Sequence, residues 1–277
     1  MNPIIYISEH LPTDYPIVYK QLSNALVEST VELAFLPYSK EVWARDFMPV
    51  HIHNGEYLGF RFRPDYLYDI KGNRKYITEQ DKAVRGIPIS YSEKTCAVFD
   101  GGNFVFCDDK VIMTDKIFQE NYDIRQSKLM DIIENACNAE LIIIPWDTLE
   151  PFGHADGMVS YVGNGHILFN NYSQMRGGKD FAKRLHKILS HHFEVTELSY
   201  KTIASKGYSC FYINYLDTPN NLLLPALSED YSLESDMAAL ETFRQIFNKP
   251  IKQVYVLPLI KDGGALHCVT WELFPKI

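Results

Sequence analysis

The chain has few of the features that would assign a protein to a class at once. No apolar run approaches the ~20 residues that a membrane-spanning helix needs. The first residues, MNPIIYISEHLPTDYP, have no basic region before their short apolar run, so we expect no export signal and a cytoplasmic protein. Lys and Arg are scattered along a chain of net charge −8. That distribution argues against nucleic acid as a partner, and we expect no membrane partner either.

Cysteines are few, and their pattern argues against two further classes. Their number is odd, and no two of them form a C-x-x-C pair. A disulfide framework or a zinc knuckle would need such regular spacing, so we expect neither. A lone cysteine is most often a small buried hydrophobe. That alternative stays open for each of the five, Cys96, Cys107, Cys137, Cys210 and Cys268.

What is present is an ordinary globular composition, 46 % hydrophobic and 22 % charged. Apolar residues at helical spacing predict helices over 14–29, 115–138, 178–193 and 230–248. Short apolar runs predict strands over 4–8, 31–37, 58–63, 97–106, 110–114, 140–144, 157–162, 166–170, 194–200, 209–216, 221–224, 252–258 and 265–273. Helices and strands alternate, and no Ser/Gly/Pro-rich linker divides the chain. We therefore expect one mixed α/β domain over residues 1–277.

Five segments resemble one another in kind, because each couples polar or turn-forming residues to a short apolar run. They are WARDFMPV (43–50), FDGGNFVF (99–106), PFGHADGMVSYV (151–162), YINYLDTPNNLLLP (212–225) and IKDGGALHCVTW (260–271). Markers within them, Asp46, Gly101, His154, Asn214 and Gly264, follow one another at intervals of 50 to 60 residues. Such a period suggests one unit repeated five times around an axis, with the polar markers at one end. Turns at ordinary intervals in an α/β chain are the alternative.

The third segment places two polar side chains at the mouth of a predicted strand. Residues i and i+2 of a strand point to one face, so the pattern predicts His154 and Asp156 within reach of one ligand. Gly153 and Gly157 flank the pair and would let the backbone bend or approach something closely. A surface hairpin with two solvated side chains is the alternative.

The fifth segment places Cys268 a few residues after a tight Asp-Gly-Gly turn. A free thiol has a pKa of ~8.5, and a neighbouring cation would raise its nucleophilic thiolate fraction. His267 is adjacent, but alternation along a strand predicts it on the opposite face. We therefore expect His154, rather than His267, to be the proton partner of Cys268.

The first segment offers a flat ring and a carboxylate. Trp43 and Asp46 suit a planar cation, by stacking and by bidentate hydrogen bonding. A core Trp beside a surface Arg45–Asp46 pair is the alternative. A cysteine protease needs a thiol and a histidine but has no use for two acids in its pocket. A guanidinium does, because it is planar, permanently charged and rich in N–H donors.

These residues resemble the guanidino-modifying superfamily, in particular the agmatine deiminase and bacterial peptidylarginine deiminase family. The motifs that carry the resemblance occur in order between residues 43 and 268. They are WARD (43–46), DGGN (100–103), GHADG (153–157), Y-x-N (212–214) with Pro225 beyond it, and DGGALHC (262–268). The resemblance implies a pentein fold, five ββαβ-type units forming an α/β propeller with pseudo-five-fold symmetry.

The resemblance also implies roles for the residues. Cys268 would attack the guanidinium carbon, Asp46 and Asp156 would hold the nitrogens, and His154 would protonate the departing ammonia and then activate water. A thiouronium intermediate would give a ureido product, with no metal or organic cofactor. Substrate-binding roles are expected for a further set of residues: Trp43, Asn103, Asn214, Arg61, Arg63 and Gly264. We expect the partner to be a small cationic guanidino substrate, and a homodimer is a further expectation.

The substrate within this class stays open. Agmatine is the family default, but Arg61 and Arg63 in FRFRPDYL lie two apart on a predicted strand and hence on one face. Bacterial peptidylarginine deiminases have a broadly similar pair that grips a substrate carboxylate, which agmatine lacks. Free or peptidyl arginine is therefore an alternative to agmatine, and two surface arginines are the plainer explanation. An amidinotransferase on the same scaffold and a non-catalytic guanidine-binding relative also stay open.

Overall fold

The computed structural model describes residues 2–52, 55–147, 152–200 and 208–274. Its strands are β1 (Ile4–Ser8), β2 (Glu32–Leu36), β3 (Val50–His51), β4 (Glu56–Arg61), β5 (Ser90–Val98), β6 (Val105–Cys107), β7 (Lys110–Thr114), β8 (Glu140–Ile144), β9 (Val159–Gly163), β10 (His166–Phe169), β11 (Glu194–Glu197), β12 (Leu216–Asp217), β13 (Leu222–Ala226), β14 (Ile251–Tyr255) and β15 (Thr270–Leu273). Its α-helices are α1 (Leu11–Asp14), α2 (Pro16–Glu28), α3 (Ala44–Phe47), α4 (Asp65–Tyr68), α5 (Gln80–Ala83), α6 (Ile117–Glu120), α7 (Gln126–Cys137), α8 (Lys179–Leu189), α9 (Glu234–Ile246) and α10 (Leu257–Lys261).

The strands form five three-stranded sheets of mixed direction, so the fold class is mixed α/β. Every sheet contains one antiparallel pair and one parallel pair around its central strand. The parallel pairs need a crossover, which helices provide, for example α2 between β1 and β2 and α8 between β10 and β11. The five sheets thus share one ββαβ-like pattern.

The chain divides into two compact units. The first unit consists of Met1–Asp14, Val31–Ala155 and Cys268–Ile277, and the second of Tyr15–Thr30 and Asp156–His267. Three sheets belong to the first unit, in the orders β15-β1-β2, β3-β4-β5 and β6-β7-β8. Two belong to the second, in the orders β11-β10-β9 and β12-β13-β14.

Helix α7 shows how local sequence builds one of these units. Its buried residues, Leu129, Ile133, Ala136 and Cys137, recur at helical spacing and so form a single apolar stripe. The stripe joins the core between the sheets β3-β4-β5 and β6-β7-β8 of the first unit. The helix ends at Asn138, whose left-handed backbone (φ 47°) forms its cap.

The predicted elements fall into two groups. Strands 4–8, 110–114 and 140–144 are confirmed with the same bounds, and α2, α8 and α9 lie inside the predicted helices. The predicted helix 115–138 is two helices, α6 and α7.

Three predicted strands are wrong in part. The chain over 97–106 is the end of β5, a 3₁₀ turn at Gly101–Asn103 and the start of β6. A 3₁₀ helix, Tyr208–Ile213, occupies most of 209–216. Residues 266–269 form a turn, so the last strand begins only at Thr270. In each of these segments the chain forms a turn or a short 3₁₀ helix, whereas its apolar residues had predicted an extended strand.

Two further observations concern membrane spans and metal sites. Among the helices that the structure describes, none combines the length and apolar character that crossing a membrane requires. Within the same residues, no cluster of three or more His, Cys, Asp or Glu side chains is arranged to hold a metal ion. Pro151, which opens the motif around His154, lies outside the described residues.

Candidate active site

Within the first unit, the short helix α3 is tied directly to Cys268. The backbone N–H of Arg45 donates a hydrogen bond to the carbonyl oxygen of Cys268 (3.0 Å). The Arg45 guanidinium also pairs with Glu272 on β15 at 2.5 Å. Because Asp46 follows Arg45 in the same helical turn, these contacts bring the WARD and HC motifs together.

Asp46 is buried and is held from two sides. The backbone N–H of Gly102 donates to its Oδ1 (3.3 Å), and the Tyr66 hydroxyl donates to its Oδ2 (3.4 Å). The neighbouring Gly101 packs so closely that a Cβ atom there would lie 2.1 Å from the carbonyl oxygen of Arg45. Gly101 therefore allows the backbone to approach α3, which a larger residue at that position would prevent.

His154 is buried between two carboxylates. Its Nδ1 lies 3.4 Å from Asp46 Oδ1, and its Nε2 lies 3.1 Å from Asp100 Oδ2. Burial alone would lower the pKa of the ring, but the charge of Asp46 and the hydrogen bond and charge of Asp100 together raise it to about 10. The raised pKa favours the imidazolium form at neutral pH, so the ring can donate a proton from a buried position.

The loop that carries His154 is fixed by backbone contacts. The carbonyl oxygen of Gly153 accepts a hydrogen bond from Thr114 Oγ1 (2.6 Å). Asn103 Oδ1 accepts bonds from the N–H groups of Thr114 (3.0 Å) and Ala155 (3.2 Å). Asn103 thus braces the loop through its oxygen, while its Nδ2 is buried without a hydrogen-bond partner. Its expected contact with substrate stays a prediction.

Lys116 lies behind Asp100 and is almost completely buried, with 1 % of its side chain exposed. Its Nζ contacts carboxylate oxygens of Glu120 (3.1 Å), Asp65 (3.2 Å) and Asp100 (3.6 Å). Burial opposes the charged form of Lys116, but these acids raise its pKa above the ordinary lysine value. Burial raises the pKa of Asp100 too, yet the hydrogen bond and charge of His154, with the charge of Lys116, bring it below the usual range.

Two neighbouring groups favour their neutral forms. Burial, reinforced by the negative charges of Asp46 and Asp100, raises the pKa of Glu41 well above the ordinary carboxyl value. Burial and the same surrounding acids, Glu41 first among them, raise the pKa of Tyr66. Glu41 Oε1 is shielded from solvent and has no hydrogen-bond partner. The first unit therefore presents a buried cluster in which the acids Glu41, Asp46 and Asp100 lie close to one another and to the His154 ring.

In the second unit, Asp156 pairs with His267 rather than with His154. Asp156 Oδ2 lies 2.6 Å from His267 Nδ1. The backbone N–H of His267 is held in turn by Asn214, whose side-chain and backbone oxygens lie 3.0 and 3.3 Å away. Asn214 is buried and acts here as a brace for His267. Its expected contact with substrate stays a prediction.

Two local predictions are corrected by these contacts. Asp156 belongs to a 3₁₀ turn, Ala155–Gly157, and β9 begins only at Val159. Strand alternation therefore does not put His154 and Asp156 on one face, and each contacts a different partner. The alternation argument against His267 also fails, because His267 and Cys268 lie in a turn rather than in a strand.

The predicted arginine pair does not form. Strand β4 ends at Arg61, so Arg63 lies beyond it and the two are not on one strand face. Arg61 is exposed and lines a cavity of about 360 Å³ with Gln80 and Lys94. Arg63 stacks on the Tyr68 ring, 3.8 Å from its centroid, and lines a different cavity of about 220 Å³.

The remaining predicted site residues are Trp43, Gly264 and Cys268. Trp43 is half-buried at the start of α3, and its carbonyl oxygen accepts a bond from the Asp46 N–H (3.1 Å). Gly264 is buried in the turn after α10 and donates to the Leu259 carbonyl (3.2 Å). Cys268 is partly exposed. The stacking, substrate-binding and nucleophilic roles assigned to them stay predictions.

Sequence reasoning misses the residues that surround His154. Asp100 stands in the DGGN motif without a predicted role, although a carboxylate directly before a glycine pair is a usable signal. Glu41, Tyr66, Lys116 and Glu120 give no signal at all, and they look like ordinary polar residues until the fold of the first unit brings them together. In the second unit, His267 is set aside by the alternation argument.

Solved structures of similar fold come from guanidino-group enzymes. They include C. jejuni agmatine deiminase (15 % identity, 100 % of this chain and 94 % of that chain, TM-score 0.74). The agmatine deiminase of Enterococcus faecalis gives 15 % identity over 100 % and 94 % of the two chains, with a TM-score of 0.73. DDAH from Pseudomonas aeruginosa, a mutant complexed with citrulline, gives 13 % identity over 98 % and 99 %, with a TM-score of 0.61. No curated protein matches the sequence.

The fold is similar to that of these deiminases. A family model identifies the group more closely, because the Porphyromonas-type peptidyl-arginine deiminase family matches residues 8–273. The chain belongs to that family.

Proposed function

We propose that the protein deiminates a small guanidino substrate through Cys268. The Cys268 thiolate attacks the guanidinium carbon, and a C–S bond forms. The C–N bond then breaks, and the departing nitrogen leaves as ammonia with the proton that His154 donates. His154, now neutral, takes a proton from water, whose oxygen attacks the same carbon. The C–S bond breaks, the thiolate is restored, and the ureido product leaves after its remaining hydroxyl proton passes to the released ammonia.

One observation supports this proposal most strongly: His154 is a buried imidazolium between Asp46 and Asp100 in a chain whose family consists of deiminases. Asp46 is proposed to bind the guanidinium nitrogens, and Asp100 to orient His154. The role of Asp156 as a second guanidinium-binding acid comes from the family resemblance alone. The Porphyromonas-type match also favours the pentein propeller as one domain over residues 1–277, and we propose that arrangement with it.

The test is a colour assay for ureido product, run with agmatine, arginine and peptidylarginine. Cys268→Ser should abolish product formation while the protein stays folded. Cys96→Ser is a matched control, because Cys96 is an exposed thiol and should be dispensable. The proposal fails if Cys268→Ser keeps full activity, or if the wild-type protein forms no ureido product from any of the three.

The substrate is proposed to carry a carboxylate, because Arg63 is held on the Tyr68 ring in a cavity. Its guanidinium could accept a planar anion there. Arg63→Gln should then raise KM for arginine or peptidylarginine and leave KM for agmatine unchanged. Arg61→Gln is the control, since Arg61 lines the other cavity. A higher KM for agmatine as well would contradict the assignment.

A further inference from the structure

The buried lysine of the first unit shares one carboxylate oxygen with the candidate catalytic histidine. Asp100 Oδ2 lies 3.1 Å from His154 Nε2 and 3.6 Å from Lys116 Nζ. The other oxygen, Oδ1, is buried and makes no hydrogen bond. The two cations therefore compete for a single atom, and Asp100 has no second oxygen engaged to satisfy either of them.

Lys116 is packed closely and held by further acids. Its side chain packs against Gly153, where an added Cβ would lie 2.8 Å from Lys116 Cδ and from the Trp146 ring. Its ammonium is also held by Asp65 on α4 and by Glu120 on α6. Whatever moves Lys116 thus acts on the same backbone segment that carries His154.

The geometry points to Lys116 as a positioning residue for the proposed deimination: by sharing Asp100 Oδ2 with His154, it limits how firmly Asp100 can hold a proton on the ring. A general acid must give up its proton during the reaction, so an imidazolium held by two unopposed carboxylates would be a poor donor. Lys116 opposes one of them without touching the ring. This inference rests on the proposed function for its catalytic meaning.

Glu120 adjusts the strength of that competition from the other side. Its Oε1 contacts Lys116, while its Oε2 is buried without a hydrogen-bond partner. Burial and the charge of Asp100 raise the pKa of Glu120 to about 8, against the lowering effect of Lys116. An ionised Glu120 draws Lys116 away from Asp100, and its own charge also favours a protonated His154.

The charged and titratable groups around this network come from several elements. Those that contact His154 or Lys116 are Asp46, Asp100, Asp65 and Glu120. Glu41 and Tyr66 interact in turn with Asp46 and Asp100. Beyond Lys116, the cavity of about 220 Å³ is lined by Arg63, Asp69 and Tyr122, among others. Removing the Lys116 charge should raise the pKa of His154, and removing the Glu120 charge should lower it.

The test follows the His154 ring by NMR in the substrate-free protein, with the signal assigned by its loss in His154→Gln. Lys116→Met should raise the pKa of His154 by roughly one unit. This is the size expected for the loss of a charge that is separated from the ring by one side chain, that of Asp100. Lys116→Arg should restore the wild-type titration. Glu120→Gln should lower the pKa, and Lys110→Met, which removes another lysine paired with two carboxylates, should leave it unchanged.

The titration results test the role of Lys116 separately from the proposed function. An unshifted His154 in folded Lys116→Met, or an equal shift in Lys110→Met, overturns the inference. If Lys116→Met does not fold, Glu120→Gln decides, because an unmoved titration there overturns it as well. In active protein, the alkaline limb of the kcat/KM profile should move with the titration. If the wild type turns over no guanidino substrate, the proposed function fails, while the titration still tests the network.

Discussion

The two units each contain a histidine–carboxylate pair, and the pairs differ in burial and in the number of acids. His154 has two carboxylate partners and is almost fully buried. His267 has Asp156 as its partner at 2.6 Å, but 26 % of its side chain is exposed. Solvent screens the second pair and not the first. The same residue types thus form a buried network around His154 and a partly exposed pair at His267.

The largest effect should come from Asp100→Asn. The substitution removes the charge that His154 and Lys116 share, so two buried cations lose a common partner. Breaking a buried pair in this way costs about 3–5 kcal/mol of the free energy of unfolding. Chemical denaturation measures it, and the ureido assay should show a loss of at least ~100-fold. A loss below about 1 kcal/mol would show that the buried network does not stabilise the fold.

The pH dependence of stability sharpens the same comparison. The pKa of His154 is raised from an ordinary 6.5 to about 10, so its contribution is complete below pH ~6.5 and is lost as the pH rises through about 10. Between neutral pH and that value the loss should reach roughly 3 kcal/mol. Denaturation curves of His154→Gln should lack this part of the decline. If the His154→Gln curve keeps the full decline, the raised pKa of His154 does not contribute to the pH dependence of stability.

A smaller effect is expected from Gly153→Ala. Gly153 has a φ of +69°, and a Cβ there would meet Lys116 and Trp146 at 2.8 Å. Left-handed strain and the clash together should cost about 2 kcal/mol and disturb His154. Gly165→Ala is the control: its φ is +71° with nothing within 4 Å of the added Cβ, so strain alone should cost about 1 kcal/mol. Equal losses would mean that the contact with Lys116 is unimportant.

Much of the fold was predictable because it depends on local patterns. Apolar runs bounded by turn residues gave the bounds of β1, β7 and β8, and amphipathic spacing located α2, α8 and α9. The wrong strands are those where tertiary contacts override the local preference. Residues 208–213 are helical although they look extended, and Tyr212 in that turn is anchored to buried Asp236 at 2.6 Å.

Only the motifs of the site could be predicted from the sequence. The residue types in WARD, GHADG and HC indicated a guanidino chemistry, and the structure ties WARD to both Cys268 and His154. The partners of each residue were not readable, since strand alternation fails where the motif is a turn. Lys116 could not be found at all, because a single lysine after a strand is usually solvated, and only the fold shows three carboxylates around it.

The smallest effect should come from Asp156→Asn, the same chemical change made in the second unit. The amide keeps an oxygen that can accept a hydrogen bond from His267, and the imidazole is partly solvated. The stability loss should therefore be about 1 kcal/mol, a fraction of that for Asp100→Asn. Denaturation of the two variants side by side measures the difference directly. If Asp156→Asn costs as much as Asp100→Asn, neither solvent exposure nor the number of acids determines how much each histidine–carboxylate pair contributes to stability.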